Sequence, residues 1–455
     1  MQILFFTYSR LFESVATIYS SRKTSGIPRL KKLVLISTVI FGYWCIDIYA
    51  SENTPTPVTD DLPSVSAWLN LNGSLRGSYW DASSNPTNSN ILSVGEIWLK
   101  SVSRIFSNTT LRMEGWSRTS NGVPSTTTQS LLREGYINYS NGNADFNIGK
   151  KIQVWGRADQ INPTDNLSPR DYSLLTTQSE DQLQGTTMIK VSYSFIDMEL
   201  TGILLPVFHP NNLPIPHSAD VYLSEIIPGG NQYAVRLEQT GQRVDWSLSY
   251  FRGFDLNPDI SIQSALVTGL TLLLQHHPIS VLGADASTVI GRYGLRGEVA
   301  YTWTENLDGT DPFIKKPFLY GVAGVDRTFF ESFNINLQYF ARRVSNFNDP
   351  NSISDPVMRE VAIQQSIISN QQDAFQQGVS MRIYNKWLNN TFEAEISAIY
   401  NMTHQDYLLR PKIVYAFDDH WKGLLGGNVY RGKPNTFFGM IENLSTIFCE
   451  VRYNF

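Results

Sequence analysis

Few residues in this chain are spaced for covalent chemistry. The six histidines are His209, His217, His276, His277, His404 and His420. None stands in a spacing that pairs an imidazole base with a serine and an aspartate, as acyl transfer requires. Neighbouring side chains on a strand leave opposite faces, so His276 and His277 cannot close on one metal. The glycines from Gly423 to Gly427 lack the Lys-Ser and the helix of a phosphate-binding loop. These patterns predict a non-enzymatic protein without cofactor or metal. The residues that do point to a task are charges. The stretch W-G-R-A-D-Q-I-N-P-T-D-N-L-S-P-R-D, Trp155 to Asp171, brings Arg157, Asp159, Asp165, Arg170 and Asp171 into close succession. Gly156, Asn162-Pro163, Asp165-Asn166 and Ser168-Pro169 break it into turns. Opposite charges on such a segment can set a transverse field across an aqueous pore, whereas on a surface loop they merely solvate it.

Such a segment needs a frame, and the N-terminus indicates where the frame resides. Arg29, Lys31 and Lys32 precede an apolar run from Leu33 to Tyr49, and Ala50 closes it. A basic region, an apolar region and a small residue read as a secretory signal, giving a leader over 1–50, a linker over 51–63 and a single domain over 64–455. Tyr43 and Trp44 stand where a lipoprotein signal needs a small residue before Cys45. Without the leader, 30 basic residues face 39 acidic ones, a net charge of −9 that disfavours nucleic acid as a partner. Cys449 is then the only cysteine, so no intrachain disulfide forms. No later stretch reaches the roughly 18 apolar residues of a membrane helix, so a membrane protein here must span with strands.

Period-2 alternation supplies those strands. Ile189, Val191, Tyr193 and Phe195 alternate with Lys190, Ser192 and Ser194; Phe333, Ile335, Leu337 and Tyr339 alternate with Asn334, Asn336 and Gln338. The predicted strands are 66–82, 91–106, 109–119, 130–140, 144–156, 186–196, 197–207, 231–240, 243–254, 276–289, 292–304, 317–329, 332–344, 378–388, 391–403, 406–418, 420–432 and 445–455. Their connections alternate between tight turns, such as Asn141-Gly142-Asn143 and Asn389-Asn390, and long segments at 157–185, 208–230, 255–275, 305–316, 345–377 and 433–444. This pattern predicts an all-β transmembrane antiparallel barrel of about eighteen strands, with short periplasmic turns and long extracellular loops. Blurred alternation in the second, tenth and seventeenth strands leaves sixteen as the alternative. Asp355 before Pro356 predicts a helix start inside 345–377. The proline-rich segment 208–230 is expected to pack over the mouth.

The faces opposite the apolar ones would line the lumen. They carry Arg112, Arg118, Lys151, Arg236, Arg296, Arg382, Lys412 and Arg452 with Glu114, Glu238, Asp285, Glu298, Glu393, Glu395 and Glu450. So many charges cannot sit in a dry core, because an unpaired buried charge costs several kcal/mol. They either face water or pair across strands. An eighteen-stranded barrel is too wide for side chains alone to fill. Near-equal numbers of both signs leave selectivity to a constriction, for which the loop after the fifth strand is the candidate.

The leader, the amphipathic strands and the ending S-T-I-F-C-E-V-R-Y-N-F resemble the large porin- and exporter-type barrels of the Gram-negative outer membrane over almost the whole mature chain. In its final strand Val451, Tyr453 and Phe455 would face lipid, and Glu450 and Arg452 the lumen. The stretch from Trp155 to Asp165 is similar to one in a poorly characterised set of outer-membrane proteins. The resemblance implies residence in the outer membrane with lipid and lipopolysaccharide around the barrel. It also implies assembly machinery that recognises the C-terminal strand, a small hydrophilic solute passing passively, and an open question of homo-oligomerisation. Two other readings stay open. One is an export or uptake barrel for a polymer or an apolar compound with Trp98, Trp116 and Trp155 as a ladder, and the other a closed structural or adhesin barrel.

Overall fold

The computed structural model describes residues 70–82, 91–121, 126–214, 221–241, 243–266 and 269–455. The leader and linker lie outside the described residues, as does His217. The first strands are β1 (Leu71–Ala82), β2 (Ile91–Phe106), β3 (Thr109–Asn121), β4 (Thr126–Asn141), β5 (Ala144–Lys151), β6 (Thr186–Phe195), β7 (Met198–Leu205) and β8 (Val221–Ile226). Next come β9 (Gln232–Gln239), β10 (Val244–Phe254), β11 (Asp259–Leu266), β12 (Gly269–Gln275), β13 (Pro278–Ile290), β14 (Tyr293–Trp303), β15 (Phe318–Phe329) and β16 (Phe333–Val344). Helix α1 (Pro356–Ile368) precedes β17 (Phe375–Trp387), β18 (Phe392–Asn401), β19 (Asp406–Ala416) and β20 (Trp421–Arg431). A single-turn helix, α2 (Phe437–Met440), leads to β21 (Thr446–Asn454).

All of these strands except β8, β11 and β12 form one antiparallel sheet of 18 strands, each paired with its neighbours in the chain. Pairing of β1 with β21, from Ser74 opposite Asn454 to Ala82 opposite Thr446, closes it. Closure leaves no free edge, which a strand protein needs in hydrocarbon. Sixteen strands are thereby ruled out. In β21, Ile447, Cys449 and Val451 face outward and exposed, while Thr446, Phe448, Glu450 and Arg452 are buried inside. The outer wall carries a broad apolar band, with Leu75, Ile97, Leu99, Ile148, Val191, Leu248, Leu282, Leu337 and Leu425 all exposed. An apolar exterior around a polar interior suits a bilayer and not water.

The eight turns between residues 107 and 420 at one rim are short, and most of the connections at the other are long. Gly142 and Gly291 adopt positive φ at two of the short turns, where a side chain would be strained. At the opposite rim, two segments predicted as irregular contain strands. Here β11 and β12 form a hairpin, and β8 adds to β12 in parallel. Long-range partners override the proline-rich composition. Ile260, Leu274 and Val361 bury together, joining this small sheet to α1. Asp355 caps α1 as predicted, its carboxylate accepting from the Val357 and Met358 amides at 2.9 Å.

Candidate functional site

The fifth strand stops at Lys151, five residues before the predicted end at 156. There the backbone leaves the ladder for side-chain partners: the Ile152 amide donates to Glu134 Oε1 at 2.9 Å, and the Gln153 amide to Ser168 Oγ at 2.8 Å. Residues 152–185 then fold into the lumen. One end of this loop docks on the wall formed by β6, β7, β9, β10, β13 and β14. Trp155, 2% exposed, packs with Leu167 against Met188, Ile203, Leu205, Ala234, Phe251, Ile279, Val281 and Ala300. These wall residues point inward, so β13 is apolar on both faces near its start. That is why alternation blurs in the tenth predicted strand. The same holds for β2, where Leu92 and Val94 bury inside the barrel with Trp80 and Phe448 beneath Leu175 of the loop.

Glu298 of β14, 4% exposed, is the polar centre of this docking. Its Oε1 accepts from the Thr164 amide at 2.7 Å and the Thr164 hydroxyl at 2.8 Å. Its Oε2 accepts from the Arg157 and Ala158 amides at 3.2 and 3.3 Å. Directly before the Arg157 amide, Gly156 has φ +100, and a Cβ there would lie 2.6 Å from a Glu298 oxygen. Only glycine meets both conditions. The Arg157 guanidinium donates to Asp285 Oδ1 and Glu238 Oε1, both at 2.6 Å, and Arg236 sits 3.2 Å from Glu238. Arg296 donates to the Arg157 carbonyl at 3.3 Å and pairs with Asp326.

The other end of the loop is held from β1, β3, β4 and β21. Arg76 donates to Asp181 at 2.6 Å, and Arg118 to the Leu175 carbonyl at 2.9 Å. Thr177 donates to Glu450 at 3.0 Å, and Arg452 braces Glu450 at 2.8 Å. Arg133 reaches the Leu183 carbonyl at 2.8 Å and also bonds Glu114 and the Glu180 carbonyl. A register shift between Glu114 and Gly115 leaves Arg133 unpaired on the ladder, a bulge that aims it and Glu134 together into the lumen. Arg112 completes the group, 3.1 Å from Glu134. Lys151, at the root of the loop, donates to Asn147 at 2.9 Å and lies 4.2 Å from the Tyr136 ring centroid.

The five predicted constriction charges therefore separate. Arg157 is an anchor. Asp171 is another, accepting from the Ser173 amide at 3.0 Å and from Asn212 Nδ2 at 3.0 Å. Asp165 accepts from the Trp155 amide at 3.4 Å and lies 4.0 Å from Arg170. Burial pushes its carboxyl up to about 7 against the pull of Arg170. Asp159 and Arg170 remain partly exposed, and Asp159 faces Arg382 of β17 at 3.6 Å. Arg76 and Arg133 were missed by sequence reasoning. The break in alternation at Leu131-Leu132-Arg133-Glu134 was the available signal for the second.

Along β17–β20 the loop makes little contact: the Asp159 pair with Arg382 and a 3.5 Å bond from Gln160 to the Met381 carbonyl. This wall displays Arg382, Arg410, Lys412 and Lys422 on its inner face by register. Glu395 lies 2.9 Å from Arg382 and 3.7 Å from Lys412, and Glu393 lies 3.5 Å from Lys386. Arg410 and Lys422 have no carboxylate partner among the described residues. Trp98 and Trp116 lie under the loop with Arg76 4.3 Å from the Trp98 ring centroid, and Trp155 is in the docking core. None of the three is displayed along a free wall.

No family model matches this chain, and no characterised protein matches it in sequence. Similar solved structures include Pseudomonas aeruginosa OccK5 (OpdH), at 8% identity over 85% of this chain and 98% of that one, TM-score 0.49. OmpF of Salmonella typhi, in complex with daunomycin, matches at 11% identity over 85% and 97%, TM-score 0.41. The outer membrane channel DcaP of Acinetobacter baumannii matches at 9% identity over 85% and 97%, TM-score 0.42.

Proposed function

We propose that this chain is an outer-membrane channel of a Gram-negative cell, through which small hydrophilic solutes pass down their concentration gradient. Its leader directs export, and its terminal strand engages the barrel-assembly machinery. Lipid and lipopolysaccharide surround the wall, with self-association as a further property of the same surface. It carries out no covalent chemistry. The observation that carries this reading is the docking of residues 152–185 across the lumen onto two stretches of wall, with little contact to the third. Saturated ion pairs hold the loop to β9–β14 and to β1–β4, whereas on the β17–β20 wall Arg410 and Lys422 meet no carboxylate among the described residues. A water-filled lane between Asp159 and Arg170 on the loop and Arg382, Arg410, Lys412 and Lys422 on the wall is the constriction. Charges on both sides of a narrow lane act strongly on a solute because the low-dielectric surround screens them poorly.

Single-channel recording in planar bilayers tests the reading. Steady stepwise conductance is the expected result, with altered rectification in Asp159→Ala. Absence of current from correctly folded protein would refute it.

A further inference from the structure

The short-turn rim carries a feature that the channel reading does not use. Among the described residues, six of its eight turns place a large apolar side chain at the last residue of the incoming strand or one residue past it. These are Phe106, Ile196, Ile290, Phe330, Leu388 and Phe417, all between 62% and 98% exposed. Three of them also hold left-handed backbone: Ile196 at φ +54, Phe330 at φ +52 and Leu388 at φ +52. That region suits glycine and asparagine and is unfavourable for bulky side chains, most of all for a β-branched isoleucine. The Asn141-Gly142-Asn143 turn, with Gly142 at φ +59, shows the residue types that meet this demand without strain. In water, Ile196 at 98% exposure and Phe330 at 97% would combine strained backbone with bare hydrocarbon, and both terms favour asparagine in their place. Apolar groups displayed in this way need a cover that takes hydrocarbon.

Two observations identify the cover as lipid. The tips continue the outward face that meets the bilayer: directly beside the three left-handed positions, Tyr193 with Phe195, Phe329 with Phe333, and Trp387 with Phe392 pair at ring-centroid distances of 5.5 to 6.5 Å. Aromatic girdles of this kind sit at headgroup level. A strand advances about 3.3 Å per residue, so a tip one residue beyond the girdle stays inside a headgroup layer roughly 5–7 Å deep. The tips also follow one another round the rim from β2 to β19, interrupted only by the turns after β4 and β9. A folded partner would cover one side of such a ring, whereas a leaflet meets all of it.

We infer that the short-turn rim is a lipid-binding surface, its apolar tips sunk in the headgroup layer of the phospholipid leaflet around this end of the barrel. Transfer of their hydrocarbon into the leaflet offsets the strain of the left-handed backbone. The rim thereby fixes the depth at which the barrel sits, a role the strands alone do not supply.

Spin labelling of the full-length protein in vesicles of phosphatidylethanolamine and phosphatidylglycerol tests this, with Cys45→Ser and Cys449→Ser as background. Labels at Ile196→Cys, Phe330→Cys and Leu388→Cys should show a ratio of oxygen to water-soluble nickel-chelate accessibility severalfold above that at Asn143→Cys. Ratios equal to that at Asn143→Cys would place the tips in water and overturn the inference. The sign of a stability change gives a second, independent reading. Asparagine suits the left-handed position, so Phe330→Asn should resist urea better than the wild type if the tip meets water and less well if it is sunk in lipid. A lower urea midpoint in the vesicles is the expected result, and a higher one would overturn the inference. Neither measurement involves the lumen, so the presence or absence of current does not bear on it.

Discussion

The two sides of the lumen use the same residue types to opposite ends. On β9–β14, Glu238, Asp285 and Glu298 meet Arg157, Arg236 and loop amides at bonding distance, and a patch around Trp155 seals the contact. On β17–β20, Arg382 stays 38% exposed at its side chain although Asp159 and Glu395 flank it, and Arg410 and Lys422 have no acidic partner among the described residues. A saturated charge inside a barrel is a fastener. An unsaturated one stays available to whatever passes. The charge census of the lining could not make this distinction, because near balance overall conceals a neutral wall facing a cationic one.

Breaking the fastener should have the largest effect. Glu298→Ala orphans four donors, each costing about 1–3 kcal/mol when left buried without a partner. The loop should leave the wall, and conductance should rise severalfold with loss of rectification. Unchanged conductance would mean that the loop does not set the bore. Trp155→Ala should come next, since emptying a tryptophan site costs about 3–5 kcal/mol. It should lower the thermal midpoint and bring frequent transitions to a wider open level in single-channel traces.

Changing the bare wall should alter selectivity and leave stability almost untouched. In Lys422→Glu, the zero-current potential in a salt gradient should move toward cation preference, and the midpoint should shift little, because no ion pair is lost and substitutions away from packed features usually stay within about 0.5 kcal/mol. A large loss of stability there would overturn the contrast between the walls. The smallest effect concerns Asp165. Its carboxyl is raised to about 7 by burial, so the folded loop favours the protonated form. Its contribution is complete below the ordinary carboxylate range and is lost as pH rises through about 7. Protection of residues 160–170 from exchange should therefore weaken from about pH 5 to about pH 8 in the wild type and stay level in Asp165→Asn.

Much of the barrel was legible because a strand between lipid and water has only two faces to fill. Val191 beside Lys190, or Leu337 beside Gln338, betrays its side without any knowledge of the rest. The small sheet at the mouth was hidden for the converse reason. Proline-rich 208–230 carries no local strand signal, and β8 exists through parallel pairing with β12, distant in sequence. Within the site, the loop was legible as a charged, turn-rich insertion after the fifth strand. Its anchors Arg76 and Arg133 were not, since an arginine on an inner face looks the same whether it meets water or Asp181.

By itself, then, the sequence determined the alternation, a count of about eighteen strands with sixteen still open, and the inward direction of Glu450, Arg452 and the other lining charges, because period-2 patterning is a local property. Only the tertiary structure decided which of those charges are spent and which are free. That outcome depends on partners more than a hundred residues apart, as with Arg157 and Asp285, and on Gly156 allowing the loop to approach Glu298. The blurred strands at β2 and β13 join the two levels: their departures from alternation are the inner surfaces on which the loop comes to rest.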